Sequence, residues 1–267
     1  MKKHSTGVNA EKIDILGVGV HIITPKDVMR CCDNWLKRIA DGHQVVTLNP
    51  EFVMCAQQRK DFRDVLNNAD LCFADGTGLF FASLFLYGFK KRVYRFAGVD
   101  FALQLAEVCA QQGKSLYLIG ADPGIAEATA QALQKKYPKL IIAGAEEGIP
   151  KEISNVQFSI SNNALLERIR QAKPDVLCVA FGAPKQELWI AEHLFALPSV
   201  RIAVGVGGTF DYLAGLMPYA PKWIRIIGFE WLHRLFTQPT RFNRIITAVI
   251  RFPLAVVSST FKYQRSK

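Results

Sequence analysis

No Cys-x-x-Cys pair occurs among the six cysteines, and His4, His21, His43, His193 and His233 show no metal-ligand spacing. A redox pair and a His/Cys metal centre are therefore not expected, and Cys31, Cys32, Cys55, Cys72, Cys109 and Cys178, mostly in apolar runs, read as reduced, buried thiols. A Gly-x-Ser-x-Gly elbow is missing, as are a Walker A loop and a Gly-x-Gly-x-x-Gly fingerprint; GVGVHI (residues 17–22) and GVGGTF (residues 205–210) only approximate the last. These gaps disfavour a serine hydrolase, a P-loop nucleotidase and a nicotinamide oxidoreductase. There is no fixed-period repeat, low-complexity tract or mid-chain Pro/Gly/Ser linker, and no cleavage site follows the first apolar stretch, so no signal peptide is expected. Apolar runs are short too. Residues 245–257 contain Arg251 and Pro253, and 13 residues fall short of the ~20 that span a bilayer, so no spanning helix is expected.

Acids are scarce at one end. From residue 222 onward nine Lys/Arg face one acid, Glu230, whereas the first 221 residues carry 24 basic and 22 acidic groups. The net charge of +10 is thus chiefly a C-terminal property. Bulky apolar residues interleave with arginines there, and Ile224, Ile227, Trp231 and Leu235 recur at helical spacing. Such a stretch suits a helix lying on a membrane, a packed terminal helix with a solvated basic face, or a nucleic-acid arm.

What precedes it is repetitive in kind. HQVVTLNPEFVMCAQQ, DLCFADGTGLFFASLF, SLYLIGADPGIAEATAQALQKKYP, DVLCVAFGAPKQELWIAEHL and RIAVGVGGTFDYLAGL each run from a continuous apolar strand through a small-residue loop into a helical pattern. Strands without polar alternation, separated by helices, predict an α/β fold: a Rossmann-like, mostly parallel sheet with helices on both faces. The predicted domain covers residues 1–220, with a basic amphipathic C-terminal appendage over 221–267. Ligands of such sheets bind beyond the carboxyl ends of the strands. Five loops fall there: residues 47–50, 75–78, 120–124, 182–187 and 205–211. Together they suit a phosphate-bearing ligand. Asp75 reads as a helix cap or as a catalytic base; Thr47 and Asn49 as turn-formers or as sugar- or base-orienting groups. Arg95 reads as a surface ion pair or a diphosphate partner, and Lys185 as a solvated cation or a phosphate ligand; Gln186 opens the same helix.

In order, TLNPE, NNADLCFADGTG, RFAGVDF, LYLIGADPG, PDVLCVAFGAPKQE, VGVGGTFDYLAG and APKWIRIIGFEWLHRLFTQPTR resemble the WecG/TagA/CpsF glycosyltransferase family over about residues 46–241. That family includes N-acetylmannosaminyltransferases of wall teichoic acid and enterobacterial common antigen synthesis and a β-1,4-glucosyltransferase of xanthan-type assembly. The resemblance implies inverting, metal-independent and cofactor-free transfer from a UDP-sugar to a polyprenyl-diphosphate-linked sugar, which agrees with the lack of an Asp-x-Asp pair. It implies a peripheral location on the cytoplasmic face of the bacterial plasma membrane, an anionic membrane surface as partner and no nucleic acid; it leaves homo-oligomerisation open. Residue by residue, it implies Asp75 as the base, Thr47, Asn49, Arg95, Lys185, Gln186, Gly207 and Gly208 around the substrate, and Arg225, Arg234 and Arg241 toward the lipid diphosphate. Residues 1–12 and 245–267 match none of its motifs. The competing reading is a non-catalytic nucleotide- or nucleic-acid-binding α/β protein with a basic tail.

Overall fold

A computed structural model describes Val8, residues 10–38, 42–148 and 155–221, Ile224, and residues 230–237 and 242–265. Six strands form one parallel sheet: β3 (His43–Leu48), β4 (Leu71–Ala74), β5 (Ser115–Gly120), β6 (Ile141–Glu146), β7 (Val176–Ala180) and β8 (Ile202–Gly205), in the order β4-β3-β8-β7-β5-β6. Side chains of successive residues bury on opposite faces. Val45, Phe73, Leu118, Cys178 and Val204 join one core with α1 (Pro25–Lys37), α5 (Gly98–Gln112) and α6 (Ile125–Lys136). Val46, Leu48 and Cys72 face α2 (Pro50–Gln58) and α3 (Lys60–Asn68), while Ile119, Leu177, Val179 and Ala203 face α7 (Asn155–Ala172) and α8 (Lys185–His193). Burial on both faces is why these strands lack polar alternation, and the expected α/β fold is what the chain adopts. Cys32, Cys72, Cys109 and Cys178 are buried and free, and burial pushes the Cys72 and Cys178 thiols up to about 12.

An antiparallel hairpin, β1 (Lys12–Ile15) and β2 (Val18–His21), closes the β4 side of the second core. Its two-residue turn places Leu16 and Gly17 at φ of 55° and 80°, the left-handed geometry of a tight hairpin. His21 is buried, and its Nδ1 accepts a hydrogen bond from the Cys72 amide at 3.0 Å. Desolvation holds its pKa down to about 4.

The C-terminal segment differs from expectation. Helix α11 (Phe242–Ile246), a π-helical turn (Thr247–Arg251) and α12 (Phe252–Arg265) run on without interruption. Pro253 does not break them. The wider π turn, in which the Phe252 amide bonds the Thr247 carbonyl, takes up the hydrogen-bond register that a proline disturbs. Phe242–Thr260 is consequently long and apolar enough to cross a membrane by length and composition, so the exclusion drawn from a short broken run does not stand. Ile245, Phe252 and Val256 are buried, with Phe252 and Val256 in the same core as α2 and α4 (Thr77–Tyr87).

Phe73 is fully buried on β4, its ring centroid 5.5 Å from Phe96 and 5.1 Å from Phe101. Phe73→Ala is expected to cost ~3–5 kcal/mol of unfolding free energy in urea melts.

Candidate active site

Register builds the site. Parallel β3 and β4 end level, Leu48 beside Ala74, so Asn49 and Asp75 emerge side by side above the sheet. The Asp75 amide donates to the Leu48 carbonyl at 2.6 Å, tying the two loops. From the other neighbours come the turn after β7 and the glycine turn after β8, which leads into α9 (Thr209–Leu213). A polar cleft lies between them, lined by Thr47, Asn49, Asp75, Gly98, Gln186 and residues 205–209, and flanked by Tyr212, Tyr219 and Arg244. It sits at the carboxyl edge, centred on β3 and β8, the first and last of the six strands in chain order, which lie side by side in the sheet.

Asp75 does not cap the helix that follows it. The N-cap of α4 is Gly76, and no side chain caps it. The carboxylate points across the cleft instead: a Cβ at Gly98 would sit 3.3 Å from Asp75 Oδ2 and 3.8 Å from Thr209 Oγ1. Glycine at the start of α5 thus leaves room for the acid. Asn49 does cap a helix, its Oδ1 accepting from the Phe52 amide at 3.1 Å, while it also lines the cleft. Thr47 is buried below it.

Gln186 is a strut. Its Oε1 accepts from the Gly182 and Gly207 amides, both at 3.1 Å, so one side chain joins the β7 and β8 turns. Its Nε2 donates to Glu187 Oε1 at 2.7 Å. Both side chains fit because residue 205 is glycine; a Cβ there would lie 2.4 Å from Glu187 Oε1 and 2.5 Å from Gln186 Nε2. Glu187 is 1% exposed, and its Oε2 is buried without a hydrogen-bond partner among the described residues. Desolvation raises its pKa to about 7.

Beside the polar cleft runs an apolar groove of about 590 Å³ between α4 and the C-terminal helix. Phe81, Phe85, Trp231, Val249, Phe252 and Val256 wall it, and Asn49 and Asp75 stand at its junction with the cleft. Arg95 lines this groove and a separate 510 Å³ depression by Asp100 and Lys136, but not the polar cleft. Lys185 is exposed and lines neither cavity, and the β5 loop at residues 120–124 stays outside as well. Four of the five expected loops therefore converge. Arg225 and Arg241 lie outside the described residues; Arg234 falls in α10 (Glu230–Thr237), its side chain outside the description.

Three contributors went unread in the sequence. Arg244 enters the cleft wall from the C-terminal segment, its Nε donating to Glu51 Oε2 at 2.6 Å. Its i, i+3 spacing from Arg241 was the available signal. Tyr219 donates its hydroxyl to Asp100 Oδ1 at 3.1 Å and packs on Tyr212, which no local pattern announces. Glu187, an acid in a first helical turn, reads as solvated. Among the described residues no group of three or more His, Cys, Asp or Glu has the arrangement of a metal site.

Because the native Glu187 carboxyl keeps its proton up to about pH 7 and the unfolded one loses it near 4.5, this group lowers stability as pH rises through that window. Its penalty is fully present above pH 7. The depressed pKa of His21 acts oppositely, adding stability as pH rises from about 4 to 6.5. In thermal melts, the Tm of Glu187→Gln relative to the parent is expected to climb between pH 5 and pH 8; a pH-independent difference would contradict a native carboxyl protonated near neutrality.

Comparison with known proteins agrees with this geometry. The glycosyl transferase WecG/TagA/CpsF family profile matches residues 13–266. An N-acetylglucosaminyldiphosphoundecaprenol N-acetyl-beta-D-mannosaminyltransferase of Bacillus spizizenii is 32% identical over 206 residues, 77% of this chain and 76% of that one. Proteins of the same name from Bacillus subtilis (28% over 216 residues, 81% and 79%) and Staphylococcus aureus MRSA252 (28% over 260 residues, 97% of each chain) are also similar. The chain belongs to the WecG/TagA/CpsF family of glycosyl transferases.

Proposed function

We propose that the protein transfers a hexose or N-acetylhexosamine, with inversion, from a UDP-sugar to a polyprenyl-diphosphate-linked sugar at the inner face of the bacterial plasma membrane. One observation carries the reading: a polar cleft and an apolar groove meet at Asp75. A lipid-linked acceptor needs both environments, and the hydroxyl that reacts belongs where they join. The glycine turns and Thr47 suit the nucleotide-sugar side, and the groove suits the first isoprene units. The relatives' name supports a diphosphate-linked N-acetylglucosamine as acceptor and N-acetylmannosamine as the sugar transferred.

In this mechanism Asp75 takes the proton of the acceptor hydroxyl as that oxygen attacks the anomeric carbon opposite the departing UDP. Positioned proton transfer of this kind accelerates a reaction by about 10²–10⁴-fold. Charge gathering on the leaving diphosphate is met by backbone amides and by guanidinium groups, whose fork matches phosphate oxygens. Arg244 stands at the cleft, and Arg95 opens on the groove side of Asp75. Arg225, Arg234 and Arg241 remain candidates for the acceptor's diphosphate. With cations supplied by the chain, transfer proceeds without a metal, and it is expected to persist in EDTA. Residues 221–267 act as an appendage to the body: the described helix packs along α2 and α4 by one face, an arrangement that favours a helix lying on the membrane over one crossing it.

The deciding experiment supplies a lipid-diphosphate-linked N-acetylglucosamine with UDP-glucose, UDP-N-acetylmannosamine and its uronic acid in turn; no transfer from any UDP-sugar would refute the reading. In that assay Asp75→Asn is expected to fold normally and lose at least about 100-fold in kcat, and near-normal turnover would remove Asp75 from the role of base. Arg244→Ala is expected to lower kcat/KM by about 10–100-fold, with Arg244→Lys recovering only part because a point charge lacks the fork.

A further inference from the structure

The apolar surface of the protein is not confined to its C-terminal helix. From Thr77 to Phe89 the chain carries no charged residue. Helix α4 buries Leu79, Ala82 and Ser83, yet its other side is no more polar: Phe81 is 61% and Phe85 58% exposed, and Phe89, in the 3-10 turn Phe89–Lys91, is 71% exposed. A helix covering a soluble core normally turns charges outward. Three consecutive cations follow, Lys90, Lys91 and Arg92. Lys91 pairs with Glu11, and the Arg92 guanidinium lies 6.0 Å from the Phe89 ring centroid and 5.6 Å from that of Tyr94. The aromatic strip also adjoins other apolar surface. Phe81 and Phe85 share the groove with Pro253 and Val257, and the helix bearing those residues exposes Ile250 and Leu254.

We propose that α4 and its 3-10 turn form a second membrane-docking surface, built into the α/β body and taking an anionic lipid bilayer. Phe81, Phe85 and Phe89 enter the boundary between headgroups and acyl chains, and Lys90 and Arg92 meet lipid phosphates. Exposed aromatics bordered by Lys and Arg are the composition of an interfacial anchor, and cations beside a negative leaflet add attraction that salt screens. A protein partner accounts less well for the continuity with the exposed face of the C-terminal helix. The proposal deepens the glycosyl-transfer reading and rests on it for its purpose: α4 starts two residues after Asp75, so a docked α4 holds the groove mouth at the depth of a lipid-linked diphosphate.

The test uses the full chain, with its C-terminal segment intact, in flotation with vesicles of phosphatidylglycerol and phosphatidylethanolamine or of phosphatidylcholine alone. Phe89→Asp combined with Lys90→Glu is expected to weaken partitioning to anionic vesicles at least about tenfold, without lowering the Tm. Lys90→Glu alone is expected to reduce the preference for anionic over zwitterionic vesicles. Phe195→Asp, at a 99% exposed phenylalanine in a different 3-10 turn, is expected to bind like the parent. Parental flotation of the double variant overturns the proposal, as does equal loss in Phe195→Asp. The double variant is also expected to retain transfer to a water-soluble, short-chain acceptor while losing it on a long-chain acceptor in vesicles. If the parent transfers no sugar to either acceptor, the functional reading fails, and flotation still decides the surface.

Discussion

The level ending of β3 and β4 against β8 is the constraint on which the site rests. Parallel pairing admits no hairpin, so each strand hands its last residue to a loop on the same edge, and register decides which side chains emerge together. Here Leu48 sits beside Ala74, which makes Asn49 and Asp75 neighbours although 25 residues separate them. A slip of one residue would turn Thr47, Phe73 and their neighbours to the opposite faces and ruin both cores. Hydrophobic burial thereby fixes the position of a polar group it never touches.

A second device holds the mouth of the cleft against its own glycines. Turns with so little side-chain packing have high conformational freedom, and the Gln186 amide removes much of it by bonding Gly182 and Gly207 at once. Glu187 orients that amide from below at the cost of burying a carboxyl. An uncharged donor–acceptor set would tie the loops without the desolvation penalty. Retaining the acid gives the site a group that titrates near neutrality, where a shift of one pKa unit corresponds to about 1.4 kcal/mol.

The layered sheet was legible because burial on two faces writes itself into unbroken apolar strands, and the small-residue loops were legible because helices opened after them. Orientation was not. Nothing local distinguishes an Asp that caps its own helix from one that crosses a cleft; the distinction came from Gly76 holding the cap and Gly98 clearing the space. Nor does the sequence announce that Gln186 is buried while Lys185, its neighbour in the same helical turn, faces solvent. Pro253 was misread because the rule for proline in a helix assumes α-helical register, and a π turn directly before it suspends that assumption. Arg244 escaped because cleft membership for a residue so far along the chain depends on how the last helix docks.

That docking also explains why two unlike cavities can share one acid. The groove has a wall from α4, which follows directly from Asp75, and a wall from a helix that begins more than 160 residues later. The segment that supplies the second wall also carries Arg244 into the cleft, so the apolar wall and the cation arrive by one docking. Phe252 and Val256 are buried in the core they share with α2 and α4, and that burial sets where Arg244 stands, as burial of the sheet sets where Asp75 stands.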